Sequence, residues 1–163
     1  MFSKDISADS KVWVYQSNRE FLANEALLIN ADLKEFLAYW TAHNKDLKAY
    51  GELVYNRFLV IAVDESLNQA TGCSIDKSVG FVKELETKFK TNFFVRTDIA
   101  FRDKEGDIVI KEMSNFMTSA EMGEIDSETI VFNNLISSFG DFKNKWEIPA
   151  KDSWHSQWIP VVK

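Results

Sequence analysis

Cysteine, proline and histidine are scarce in this chain, and no stretch of it stays apolar for long. Its 163 residues include one cysteine, two prolines and two histidines. Cys73 alone excludes an internal disulfide and fits a reducing, cytoplasmic setting. His43, Cys73 and His155 are too scattered to make a zinc-binding spacing, so neither a metal nor a cofactor is expected. The longest apolar run, Phe58 to Val63, has six residues. A spanning helix needs roughly twenty, so no membrane partner is expected. Positive charge is also short: 19 Lys and Arg against 25 Asp and Glu leave a net charge of −6 and a pI near 5.0. That balance opposes binding to nucleic acid or to an anionic membrane, since both carry the same sign of charge. The start, Met1 to Ser10, lacks the basic residues and apolar stretch of a secretory signal.

What the chain does contain is apolar and aromatic material. At 45% hydrophobic and 13% aromatic residues it can bury a sizeable core. No repeat, low-complexity tract or Pro/Gly-rich linker divides it, and one domain spanning 1–163 is expected. Lys11 to Tyr15 alternates, with Val12 and Val14 on one side and Trp13 and Tyr15 on the other, which predicts a strand. Ser17-Asn18-Arg19-Glu20 has capping-box spacing, with Asn24 as an alternative cap. The helix that follows carries Leu22, Ala26, Ile29, Leu33, Phe36, Leu37 and Trp40 in one stripe and should end near His43-Asn44. Two extended segments, Leu47 to Val54 and Phe58 to Val63, flank a polar break at Tyr55-Asn56-Arg57. The second is apolar throughout, as a central strand covered on both faces would be.

A second helix is predicted from Ile75 to Lys90, with Ile75, Val79, Val82, Leu85 and Phe89 inward. Phe93 to Arg102 and Ile108 to Met113 flank Asp103-Lys104-Glu105-Gly106-Asp107, a hairpin signal in which Gly106 supplies positive φ. Asp126 or Ser127 should cap a third helix with Val131, Phe132, Leu135, Ile136 and Phe139 inside and Gly140 as its stop. From Asp141 the tail is aromatic and irregular. The order β-α-β-β-α-β-β-α implies an α+β fold. Its first six elements match a ferredoxin-like split βαβ core, with helices on one face of an antiparallel sheet. A strand, a helix and the aromatic tail are added to it.

Gly72-Cys73-Ser74-Ile75-Asp76-Lys77-Ser78 is the segment richest in chemistry. A helix start presents unpaired N–H groups, which can hold an anion or activate a thiol. A nucleotide-binding P-loop requires Gly, four residues, then Gly-Lys-Ser. Here the spacing is one residue short, and Asp76 stands where the second glycine would be. The acid-ended strand Val60 to Glu65 also precedes the glycine loop instead of following it, so hydrolysis of ATP by a P-loop is not expected.

Four strings, Val12-Trp13-Val14-Tyr15-Gln16-Ser17-Asn18-Arg19, Tyr55-Asn56-Arg57-Phe58, Gly72 to Val79, and Asp152-Ser153-Trp154-His155, resemble a small uncharacterised bacterial family. Its members often carry the label "ABC transporter ATPase". The likeness spans nearly the whole chain and implies no defined reaction.

Two site hypotheses follow from the residues. Cys73 is the candidate catalytic nucleophile, with His43 or His155 as base. Gln16, Ser17 and Arg19 at the end of the first strand, together with Cys73, Ser74, Asp76 and Lys77, would form a polar ligand pocket if Arg19 faces the Gly72 turn. Asp64 and Glu65 end the buried strand but are expected to be solvated. Met113, Met117 and Met122 lie within ten residues, and Trp146, Trp154 and Trp158 within thirteen. Either set suits a partner surface or self-association. The expected function is a binding or interaction module, without catalysis, for a protein or small molecule. The alternatives are an enzyme using Cys73 or the Arg19 pocket, and a structural subunit of a larger assembly.

Overall fold

In β1 (Lys11–Gln16), Trp13 and Tyr15 point to the same side as Leu59, Ile61 and Val63 of β3 (Phe58–Asp64), because opposed residues in an antiparallel register share a face. These residues belong to a computed structural model, which describes residues 6–43, 48–64 and 72–161. β2 (Lys48–Val54) pairs with the other edge of β3, and the sheet order is β1-β3-β2. All seven residues of β3 are buried, as its unbroken apolar sequence implies.

The fold is α+β, with four helices and two antiparallel sheets among the described residues. Two compact units make it up: Met1–Phe94 with Ser137–Asp141, and Val95–Ile136 with Phe142–Lys163. In the first unit, α1 (Ala23–His43) and α2 (Gly72–Phe89) cover one face of the β1-β3-β2 sheet. Ile29, Leu33 and Trp40 of α1 meet Val82, Leu85 and Phe89 of α2 over Leu59 and Ile61. Phe36 stacks on Phe81 at 4.5 Å. Of the two predicted stripes Leu22 is exposed, Phe36, Leu37, Ile75 and Val79 are half-buried, and the remaining residues are buried.

The connection β1-α1-β2-β3, with β3 between β1 and β2, is the split arrangement the element order implies. A ferredoxin-like sheet would add β4 (Asp98–Arg102) beside β1, and here it does not. β4 belongs to the second sheet, and the returning segment at Ser137–Ser138 lies on β1 instead. The Val12 N–H donates to the Ser137 carbonyl at 3.0 Å, and the Phe139 N–H to that of Ser10 at 2.8 Å. A β1 edge already engaged has fewer groups to offer a fourth strand.

The second sheet runs β5-β4-β6-β7, with β5 at Ile108–Glu112, β6 at Ile130–Phe132 and β7 at Glu147–Pro149. The β4–β5 hairpin closes as the sequence predicts. Gly106 has φ +87°, and the Asp103 carboxylate accepts the N–H groups of Glu105 and Asp107.

Two expectations fail beyond residue 126. The third helix does not form over residues 127–139. Ile130–Phe132 is β6, with Val131 opposite both Phe101 and Ile148, and Leu135, assigned to the inner face, is 72% exposed. Asp126 does cap, but caps a turn: its carboxylate accepts the Glu128 N–H at 2.9 Å, while Thr129 Oγ1 accepts its own N–H at 3.0 Å. The methionine segment is a helix, α3 (Met113–Glu121), whose Phe116 and Ala120 share a buried face at i, i+4 spacing. The tail is ordered: α4 (Phe139–Lys145), β7 and two 3-10 turns, Ala150–Asp152 and Trp154–Trp158. No helix of the described residues is long and apolar enough to cross a membrane.

Candidate functional site

The segment from Gln16 to Phe21 is held by hydrogen bonds on every side. The Thr91 hydroxyl donates to Asn18 Oδ1 at 2.9 Å, which uses its one proton, so the buried Ser17 hydroxyl donates to Thr91 Oγ1 at 2.7 Å. Ser17 Oγ in turn accepts the Arg19 N–H at 3.3 Å. The capping box expected at Ser17 is displaced: α1 begins at Ala23, and Glu25, not Glu20, reaches back to the N–H of the capping residue Leu22 at 3.0 Å.

Arg19 grips both oxygens of Glu25 and donates from Nη2 to the Phe89 carbonyl at 2.6 Å. It also lies over the Phe21 ring, 4.9 Å from the centroid. The guanidinium holds the Glu25 carboxyl down at about 2, well below the ordinary carboxylate range. Phe89 is the last residue of α2, and Gly72 is the first. Eighteen residues of helix span roughly 27 Å, so Arg19 sits at the end of α2 opposite Gly72 to Ser78. The structure does not bring Arg19 to the Gly72 turn, and the pocket joining Gln16, Ser17 and Arg19 to Asp76 and Lys77 is absent. Arg19 instead supplies a cation at a helix C-terminus, where it offsets the dipole.

The rest of that set is dispersed. Asp76 and Lys77 are exposed on α2, with the Lys77 ammonium 6.0 Å from the Tyr39 ring centroid. Gln16 is buried. Ser78 is buried too, donating to the Ile75 carbonyl, and it meets the Tyr15 hydroxyl, whose pKa burial pushes up. The helix starts at Gly72, so Cys73 and Ser74 stand inside its first turn and not before it; their side chains, and that of His43, lie outside the described residues. Glu65 also lies outside them, whereas Asp64 is buried at the end of β3.

His155, the other candidate base, is 1% exposed. Its Nδ1 lies 2.7 Å from the Ser153 hydroxyl, and its ring stacks on Trp154 at 3.9 Å with Phe116 at 5.9 Å. Burial drives its pKa down to about 4, so the imidazole is neutral at pH 7. It anchors the tail to the core of the second unit.

That anchoring builds a groove that sequence reasoning did not assign. At the end of α3 the chain reverses through a Schellman motif: Gly123, at φ +78°, donates to the Ala120 carbonyl, and the Glu124 N–H donates to Ser119 at 3.0 Å. The reversal drives Ile125 into the core. Opposite it, successive 3-10 turns (Ser153 N–H to Ala150 O, Ser156 to Ser153, Ile159 to Ser156) carry the tail across the same face. Trp154 and Trp158 pack against the Phe116 core and hold it there.

Between the two lies a groove of about 520 Å³. Ala120, Ile125, Ile159, Pro160 and Val161 supply its carbon surface, and Glu121, Asp126, Lys151, Ser127 and Ser156 its polar groups. Val161 is 88% exposed and Met122, beside Glu121, 69%. In the sequence the methionine cluster and the tryptophan tail mark this region, whereas Gly123, which turns the chain between them, carries no local signal of that role.

A neighbouring hollow of about 510 Å³ lies beside the β4–β5 turn. Its charges are largely engaged: Arg102 with Glu147 and the Gly106 carbonyl, Asp103 with the turn amides. Lys111 donates to Ser119 Oγ at 2.7 Å, a base-to-nucleophile distance. Ser119, however, is buried in the last turn of α3, where the ammonium complements the helix dipole. Among the described residues no group of three His, Cys, Asp or Glu is placed to hold a metal. Compared with known protein families, with curated proteins and with solved structures, the chain matches none.

Proposed function

We propose that this protein is a binding module, and that the groove between the end of α3 and Ile159–Val161 receives an apolar segment of its ligand. One observation carries the proposal: a concave surface of about 520 Å³, walled mainly by carbon and held open by an anchored tail. That volume lies within the range of ligand pockets. Exposed methionine beside it, at Met122, suits a surface that adapts its shape to a ligand. A cytoplasmic setting fits the single cysteine. Nucleotide hydrolysis forms no part of the proposal, because Asp76 replaces the P-loop glycine and Lys77 is exposed on the helix.

Titration of the isotopically labelled full chain with a neutral peptide, acetyl-Gln-Leu-Ile-Leu-Leu-Gln-amide, followed by amide chemical shifts, tests it. Shifts should concentrate at Ala120, Ile125 and Ser156 to Val161, and Val161→Asp should weaken them. Absence of binding, or shifts elsewhere on the chain, would overturn the assignment.

A further inference from the structure

The rim of the groove is electrically one-sided. Two of its carboxylates, Glu121 and Asp126, are exposed, and among the described residues neither has a cationic partner. Among the described residues the Asp126 carboxylate accepts only a backbone N–H, from Glu128. Lys151, the lone cation among the lining residues, is already spoken for: its ammonium donates to Glu128 at 2.7 Å. The wall therefore presents apolar floor with uncompensated negative charge, on a chain whose net charge is −6. We infer that the occupant of this groove is a peptide segment of another protein in which a short apolar run is flanked by Lys or Arg. The inference rests on the binding-module reading and adds the partner's chemistry.

Charge complementarity selects the flanks. A lysine or arginine beside Glu121 or Asp126 gains a partner without displacing one, whereas an acidic flank meets repulsion from both. The same field excludes nucleic acid and anionic lipid as occupants and speeds the approach of a basic partner. The Ser127 and Ser156 hydroxyls at the rim offer donors and acceptors that match a peptide backbone, which an apolar small molecule would leave unused.

Three fluorescein-labelled peptides sharing one core, Lys-Leu-Ile-Leu-Leu-Lys and its Gln-flanked and Glu-flanked versions, are compared by anisotropy with the full chain. Two exposed ion pairs should make the Lys-flanked peptide bind roughly five-fold tighter than the Gln-flanked one, with the Glu-flanked one weakest. The preference should fade as salt rises to about 0.5 M. In Glu121→Gln with Asp126→Asn, which keeps the carbonyl that accepts the Glu128 N–H, the ratio of Lys to Gln affinity should fall to about one. Equal binding of all three peptides defeats the basic flanks and leaves the binding module standing. No binding by any of them defeats both. Light scattering that shows self-association, dissociated by Val161→Asp, would replace the peptide with a second copy of the chain.

Discussion

Arg19 and Glu25 form a two-pronged ion pair, Nη1 to Oε1 at 2.9 Å and Nη2 to Oε2 at 2.7 Å, on a guanidinium that also donates to the last carbonyl of α2. One side chain thus ties the start of α1 to the end of α2. A lysine cannot reproduce the fork. Arg19→Gln should lower the melting temperature more than Arg19→Lys, and both should lower it at pH 7. Glu25 titrates at about 2 in the folded chain, against about 4.5 when unfolded. Its contribution is therefore complete above pH 4.5 and lost as the pH falls towards 2. The gap between the native chain and Arg19→Gln should close over that window in acid-denaturation curves.

His155 acts at a higher pH. Buried against Trp154 and Phe116, it titrates at about 4 rather than 6.5. Between those values the unfolded chain takes a proton that the folded chain does not, so stability falls as the pH drops from 6.5 to 4. A shift of this size corresponds to about 3 kcal/mol. His155→Asn, which keeps a polar atom near Ser153, should flatten that part of the curve. Urea unfolding monitored by tryptophan fluorescence at pH 7.5, 5.5 and 4.5 checks it; an unchanged slope in the variant would contradict the assignment.

Lys90 closes α2 in the left-handed region, at φ +51°, with the Thr91 N–H bonded back to the Glu86 carbonyl at 3.1 Å. This is the Schellman position that glycine fills best, since a Cβ is crowded there. Lys90→Gly should stabilise the first unit by about 1 kcal/mol, read by thermal or chemical unfolding, and Lys90→Val should destabilise it.

Gly51 lets α1 approach the sheet. A Cβ at this position would stand 3.0 Å from Leu33 Cδ2 and 3.1 Å from Cδ1. Gly51→Ala should cost roughly 1–3 kcal/mol through overpacking. Leu33→Val, which shortens the opposing side chain, should relieve part of that cost in a double-mutant cycle.

Periodicity made much of the first unit legible before any coordinates. Ile29, Leu33 and Trp40 could occupy one helix face only, and the unbroken run from Phe58 could be satisfied only in the middle of a sheet. The hairpin at Gly106 was equally plain, because its turn chemistry is local. Beyond residue 126 the same logic failed at Val131, Phe132, Leu135, Ile136 and Phe139. Their spacing suits a helix, yet Val131 meets Phe101 and Ile148, partners that no local window contains. The site suffered more. Ser17 to Glu20 looks like a capping box, and its serine does accept a nearby N–H, but the helix begins later and Glu25 takes the reciprocal part.

From the sequence alone came the α+β class, the two helical stripes, the buried central strand and the mismatch with P-loop spacing, because each depends on residue types and spacing within one segment. Tertiary structure decided which strand lies beside which, that Arg19 sits at the far end of α2 from Cys73, and that Ala120 and Val161 line one groove. Those are distances between segments remote in sequence, set by edge hydrogen bonds, a glycine at positive φ and the packing of Trp154, His155 and Trp158 on Phe116.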